Sequence, residues 1–221
     1  FMDTEALGRS LLFHGMSAKE CTDCLEALDA RRRDYARGSF ILHAGGRTDR
    51  MGLVLSGSVN VQSDDLWGNC TLLSHVGTGE IFAEAYAVLS DQIMPVDVQA
   101  DEDCSVLFLR AGPLLDILPR AAWKERLIRN LLFISSRKNM ALSGRSFHTS
   151  PKSARGRILA YLNALSLQKS ATELDIPFNR QQMADYLNLE RTNLSKELGR
   201  MQREGLIRFK KNHFKLLRPD E

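Results

Sequence analysis

Between Asn179 and Met201 the chain carries two amphipathic stretches joined by a very short turn, and no other segment restricts its fold as tightly. Met183, Ala184 and Leu187 fall on one face of the first stretch, and Leu194, Leu198 and Met201 on one face of the second. This is the period of two packed helices, with small Ala184 permitting close approach. The arrangement leaves Arg191, Thr192, Asn193, Ser195 and Lys196 pointing outward at the start of the second helix. Guanidinium and amide groups there suit base edges in a major groove, because they donate or accept in bidentate geometry. An ordinary solvated helical pair is the other reading of the same face. From Arg203 to Leu217 the pattern becomes helix end, strand, basic turn and strand, which reads as a wing. Lys210, Lys211 and Lys215 in that wing, with Arg180 and Gln181 on the first helix, are expected to contact phosphates, which orient a protein on a duplex without carrying sequence information.

Charge is distributed to match. Thirty Lys and Arg against 27 Asp and Glu leave a formal +3 over 221 residues, but the balance is uneven. Residues 1 to 144 carry 15 basic and 19 acidic side chains, whereas residues 145 to 221 carry 15 and 8. A basic segment behind a mildly acidic one points to a polyanionic partner for the tail, although charge alone does not separate nucleic acid from an anionic membrane surface. No apolar run approaches the roughly 18 residues that span a bilayer. Phe1-Met2-Asp3-Thr4-Glu5 lacks the basic and long apolar regions of a secretory signal, so a reducing, cytoplasmic setting is expected.

The front of the chain has a different texture. Ser17-Ala18-Lys19-Glu20 is a capping box, so a short helix should start there, with Leu25 and Leu28 at helical spacing. Short alternating runs follow at 39–42, 52–61, 70–73, 96–100 and 105–109, separated by glycines and acidic turns; strands at this spacing suggest a barrel or jelly roll. After Gly112-Pro113 the period lengthens. Trp123, Leu127, Leu131, Ile134 and Ala141 should share one face of a long helix, a stripe that needs either a second copy of the helix or the chain's own barrel to cover it. Ser143-Gly144 and Thr149-Ser150-Pro151 read as a hinge, with a new capped helix starting near Ser150. The expected fold is α+β: an N-terminal β jelly-roll sensor over 1–115, a long dimerisation helix and hinge over 116–145, and a C-terminal winged helix-turn-helix over 146–221.

These segments together resemble the Crp/Fnr family of bacterial transcription regulators over nearly the full length. Gly38 to Gly46, the Leu55-Ser56-Gly57-Ser58-Val59 strand and Gly79-Glu80-Ile81-Phe82-Ala83-Glu84 look like that family's cyclic-nucleotide-binding-like sensor. The long helix looks like its dimer helix. Arg191, Thr192, Ser195 and Lys196 align with its recognition-helix positions, and Arg191 matches its base-reading arginine. The resemblance implies a homodimer on a two-fold symmetric duplex site, RNA polymerase as a partner, and an effector that shifts a two-state dimer.

The effector pocket that the resemblance implies lies around Gly79, Glu80, Ile81, Phe82, Met94 and Pro95. Cyclic-nucleotide binders neutralise the phosphate with an Arg-Ser or Arg-Thr pair where this chain has Met94-Pro95. A thioether cannot do so, and losing such a pair costs about 2 to 5 kcal/mol, so cyclic AMP is disfavoured. An iron-sulfur cluster is disfavoured because Cys21 and Cys24 fall inside the helix capped by Ser17, leaving Cys104 and Cys70 without a matching set. Haem is disfavoured because Phe82 to Tyr86 contains no histidine and His75 precedes the turn. The cofactor is therefore left open and no metal site is expected. No nucleophile stands with an evident base and orienter, so no catalytic residue and no enzyme activity are expected. The rival reading is a small-molecule or redox sensor whose basic C-terminal domain docks a partner other than DNA.

Overall fold

The Ser17 hydroxyl accepts from the Glu20 amide, and the Glu20 carboxylate accepts from the Ser17 amide at 2.8 Å, which starts helix α1 (Ala18–Ala27) where the capping box places it. The computed structural model describes residues 7–8, 10–64, 70–116 and 120–217, in two compact units, 1–135 and 136–221. In the first unit α1 is followed by β1 (Arg31–Tyr35), β2 (Phe40–Leu42), β3 (Arg50–Ser56), β4 (Val59–Asp64), β5 (Cys70–Val76), β6 (Ile81–Phe82), the short helix α2 (Glu84–Val88), β7 (Asp97–Ala100) and β8 (Cys104–Arg110). They form two antiparallel four-stranded sheets, ordered β1-β8-β3-β6 and β2-β7-β4-β5. This is the expected jelly roll.

The alternation along β8 shows how the sandwich is filled. Val106 and Phe108 point between the sheets, joining Val54, Val59, Val76, Phe82 and Val98. Leu107 and Leu109 point the other way, into a second core with Met51, Leu53, Cys21, Cys24 and Leu28 of the helical layer. Burial on both faces is why this strand reads as an unbroken apolar run. Phe82 meets Phe108 edge to face at 6.3 Å, and the Phe82 ring sits directly over Gly52, where an added Cβ would lie 2.2 Å from its Cζ. Gly52→Ala is therefore expected to destabilise this unit by about 1 to 3 kcal/mol through overpacking. Thermal unfolding reads the effect as a melting point lower by several degrees; an unchanged melting point would mean that Phe82 swings aside freely.

After α3 (Gly112–Leu115), helix α4 runs from Ala122 to Thr149. Leu127 is fully buried on the sandwich, with Trp123, Leu131 and Ile134 packed beside it. The stripe read from the sequence is thus covered by the chain's own core from Trp123 to Ile134, whereas Ala141, expected on the same face, is exposed, as are Ile128, Leu132, Met140 and Leu142. The helix also continues through Ser143 and Gly144. The nearest atom to a Cβ added at Gly144 is His148 Cε1 at 4.0 Å, so the glycine marks open space and not a break. The break falls at Ser150-Pro151, since proline has no amide to continue the ladder. The next helix is capped by Ser153, three residues beyond the expected start.

The second unit begins within α4 and continues with α5 (Ala154–Lys169), β9 (Glu173–Asp175), α6 (Arg180–Tyr186), α7 (Arg191–Arg203), β10 (Ile207–Lys210) and β11 (His213–Leu216), with the strands ordered β10-β11-β9. Its core holds all six inner-face residues read from the sequence, Met183, Ala184, Leu187, Leu194, Leu198 and Met201, together with Ile158, Leu162, Ile207 and Phe214. Among the described residues no helix is long and apolar enough to cross a membrane.

Candidate nucleic-acid interface

Asn179 caps α6 with a full capping box: its side chain accepts from the Gln182 amide, and Gln182 accepts in return from the Asn179 amide. The helix ends at Leu187, Asn188 takes a left-handed φ of 51°, and the Leu189 amide bonds back to Ala184. That turn aims the N-terminus of α7 away from the core. Arg191, Thr192, Asn193, Ser195 and Lys196 are all exposed over its first two turns. Glu190, the cap residue, makes no side-chain cap bond, so the first amides of α7 are not closed by it and face outward with the partial positive end of the helix. Arg200 and Arg203, which the sequence reading did not single out, are exposed on the same helix.

Three arginines brace α7, the turn before it and the end of α6. Arg155 of α5 bonds Glu197 at 2.7 Å through Nε and forks onto both oxygens of Glu204 at 2.7 and 3.0 Å. Those carboxylates raise the Arg155 pKa further, and Arg155 and its neighbouring cations hold Glu204 below the usual carboxylate range. Arg157 Nη1 donates to the Leu187 and Asn188 carbonyls at 3.2 and 2.8 Å, which fixes the turn itself. Arg145 donates to the Tyr186 and Asp185 carbonyls, both at 3.3 Å, and satisfies the end of α6. Their partners are distant in sequence, and no local pattern announces them.

The expected phosphate contacts divide into two groups. Lys210 and Lys211 are exposed at the tip of the β10–β11 wing and make no ion pair among the described residues. The other three have partners within the chain. Lys215 pairs with Glu173 at 2.8 Å, and Gln181 Nε2 donates to Asp185 at 2.8 Å. Arg180 lies over the rings of Phe209 and Phe214, 5.1 and 5.6 Å from their centroids, and donates to the Lys211 carbonyl at 3.2 Å. Burial there lowers its pKa. Arg180 thus ties α6 to the wing.

In the first unit, Gly79 takes a left-handed φ of 85° and donates its amide to Val54, while the Glu80 carboxylate accepts from the Gly77 amide at 2.8 Å. Ile81, Phe82 and Met94 are buried and Pro95 is exposed. Met94 is held by backbone bonds to Gly45 and Gly46 and offers no charge to a phosphate. Cys21 and Cys24 lie on the buried face of α1, and Cys104 in the core between the sheets. Burial raises all three thiols, Cys24 to about 12, which disfavours the thiolate that a metal needs. The Cys70 side chain lies outside the described residues. Among those described, no group of three or more His, Cys, Asp and Glu is placed to hold a metal ion. His75 Nδ1 lies 3.0 Å from Asn60 Oδ1 on an exposed strand.

Comparison with known proteins assigns both units. Residues 32–120 match the cyclic nucleotide-binding domain family, and residues 156–221 match the Crp-like helix-turn-helix domain family. The transcriptional activator protein FnrL of Cereibacter sphaeroides is 23% identical over 187 residues, covering 79% of this chain and 71% of the relative. Among solved structures, the catabolite activator protein of Thermus thermophilus is 26% identical with a TM-score of 0.51, covering 94% of each chain. CprK complexed with OCPA shares the fold with a TM-score of 0.63 at 16% identity, over 89% of this chain and 88% of that one. A cyclic nucleotide-binding domain ahead of a Crp-like helix-turn-helix, with transcription regulators and not enzymes as relatives, makes this chain a member of the Crp/Fnr family of transcription regulators.

Proposed function

We propose that the chain is a cytoplasmic, homodimeric, sequence-specific DNA-binding regulator that works with RNA polymerase and responds to a small molecule other than cyclic AMP. The observation that carries the DNA reading is the exposed set Arg191, Thr192, Asn193, Ser195 and Lys196 at an outward-facing helix start, beside two wing lysines without ion-pair partners among the described residues. Arg191 would read a base, most simply guanine through its O6 and N7 acceptors, and the other four would complete the half-site or contact its backbone. Lys210 and Lys211 would neutralise phosphates, while Arg180, Gln181 and Lys215 reach a duplex only by leaving their present partners. The exposed apolar face of α4 supports the dimer, and neutral Met94 supports an effector without a nucleotide phosphate.

Selection of random-sequence duplex at near-physiological salt, followed by sequencing of the retained DNA, tests this reading. Enrichment of an inverted repeat is expected, and retention that depends on salt but not on sequence would overturn it. On the selected duplex, Arg191→Ala should cost about 1 to 3 kcal/mol, relax preference at one position of each half-site and leave binding to scrambled duplex unchanged. Lys211→Ala should weaken cognate and scrambled duplexes alike and reduce the salt slope by about one ion per protomer. Equal losses on both duplexes for Arg191→Ala would remove it from the base-reading set.

A further inference from the structure

The inward face of β1 is not built like the interior of a jelly roll. In the antiparallel register with β8, Arg31 lies opposite Phe108, Arg33 opposite Val106 and Tyr35 opposite Cys104. Directly opposed residues share a face of the sheet, and all three partners belong to the core between the sheets. Arg31 and Arg33 therefore stand on the core side of the edge strand, at its open rim, where both side chains are exposed. Arg50, on β3, shares the inward parity of Val54 and is 19% exposed. The three arginines converge on one cavity of about 150 Å³, whose remaining wall comes mainly from Tyr35, Phe108, Ile41 and Leu42.

Two of these arginines are held in advance. The Asp29 carboxylate takes Arg31 Nη2 at 2.9 Å and also Arg50 Nη2, while its backbone carbonyl accepts from Arg50 Nη1 at 2.6 Å. Both arginines keep the Asp29 pKa below the usual carboxylate range. Thr48 Oγ1 accepts from the Arg50 amide at 3.0 Å and donates to its carbonyl at 2.9 Å, which fixes the backbone as well. Asp29 offsets one of three positive charges. The Arg33 side chain is exposed at the rim and has no hydrogen bond or ion pair among the described residues.

We propose that this cavity binds a small organic carboxylate, with Arg33 and the preset guanidinium edges of Arg31 and Arg50 on the anion, and Phe108, Tyr35, Ile41 and Leu42 around an apolar body. Guanidinium forks match carboxylates in bidentate geometry. A cavity near 150 Å³ with apolar walls admits a benzene-sized group, which limits the body to one ring or a short branched chain. None of Gly79, Glu80, Ile81, Phe82, Met94 and Pro95 lines it. The site is thus separate from the stretch that corresponds to a nucleotide cradle.

Isothermal titration of the full chain with benzoate and with isovalerate, against benzamide and inorganic phosphate at constant ionic strength, tests the proposal. Saturable binding of at least one carboxylate at one site per chain is expected, with benzamide and phosphate at least tenfold weaker. Arg33→Gln should weaken the carboxylate about tenfold to a hundredfold, the loss of a hydrogen bond to a charged group, without changing the melting point. Arg32→Gln, on the other face of the same strand, opposite Leu107 and paired with Asp34, should leave binding unchanged. The proposal fails if neither carboxylate saturates, if benzamide or phosphate binds as well, if Arg33→Gln binds like the parent, or if Arg32→Gln loses as much. The titration contains no DNA, so its failure leaves the reading of the second unit intact, and a failed duplex selection leaves this site standing.

Discussion

A Leu132→Glu chain is expected to sediment as a monomer and to lose about two to four orders of magnitude of affinity for the selected inverted repeat, because each half-site would then be bound alone. The argument starts from two faces of one helix. Leu127 is fully buried against the sandwich, so its face of α4 is taken. Ile128, Leu132 and Leu142 are 42%, 66% and 67% exposed. With Ser135, Asn139 and Ser146 they recur at alternating steps of four and three, the spacing of a coiled-coil seam, and an asparagine at such a position favours a paired, in-register dimer. A two-fold axis along that seam brings each residue near its own copy, so glutamate at 132 sets two carboxylates against one another in a desolvated interface. Analytical ultracentrifugation and titration with single and paired half-sites provide the check. The single half-site should bind the variant as it binds the parent; a variant that remains dimeric would move the interface off this face. Leu127→Glu is the contrast, since it should disrupt the sandwich and lower the melting point.

The sequence discloses what depends on local periodicity and hides what depends on a distant partner. The inner faces of α6 and α7 were legible because Met183, Ala184, Leu187, Leu194, Leu198 and Met201 are set by helical repeat alone, and all six are buried. The Ser17 and Asn179 capping boxes were legible in the same way. Strand β1 was hidden: Arg-Arg-Arg-Asp-Tyr shows no apolar alternation, because its inward positions carry guanidinium groups beside a cavity. Strand β9 places only Leu174 in the core, and β6 is two residues long, both below what a pattern can register. The α4 stripe was found, but periodicity says that a face is covered and not by what. Arg180 and Lys215 read as free cations because their partners, the Phe209 and Phe214 rings and Glu173, lie across the fold.

Phe214→Ala should uncouple the stability of the two units. Its side chain is 1% exposed in the core of the second unit, stacked on Phe209 at 5.4 Å and covered by the Arg180 guanidinium. Removing a buried phenylalanine costs about 3 to 5 kcal/mol from lost transfer energy and the cavity left behind, and here the guanidinium loses part of its aromatic support as well. Domains of ordinary size have only about 5 to 15 kcal/mol in total, so the winged unit should be partly unfolded at 37 °C. Every described member of this core lies within 158–216, inside the second unit. Calorimetry of the full chain should therefore show one transition moved down by well over ten degrees and another unmoved, with duplex binding lost at the temperature of the first. The carboxylate titration should be unaffected below the second transition. A single transition shifted as a whole would mean instead that the sandwich and the winged unit unfold as one cooperative body.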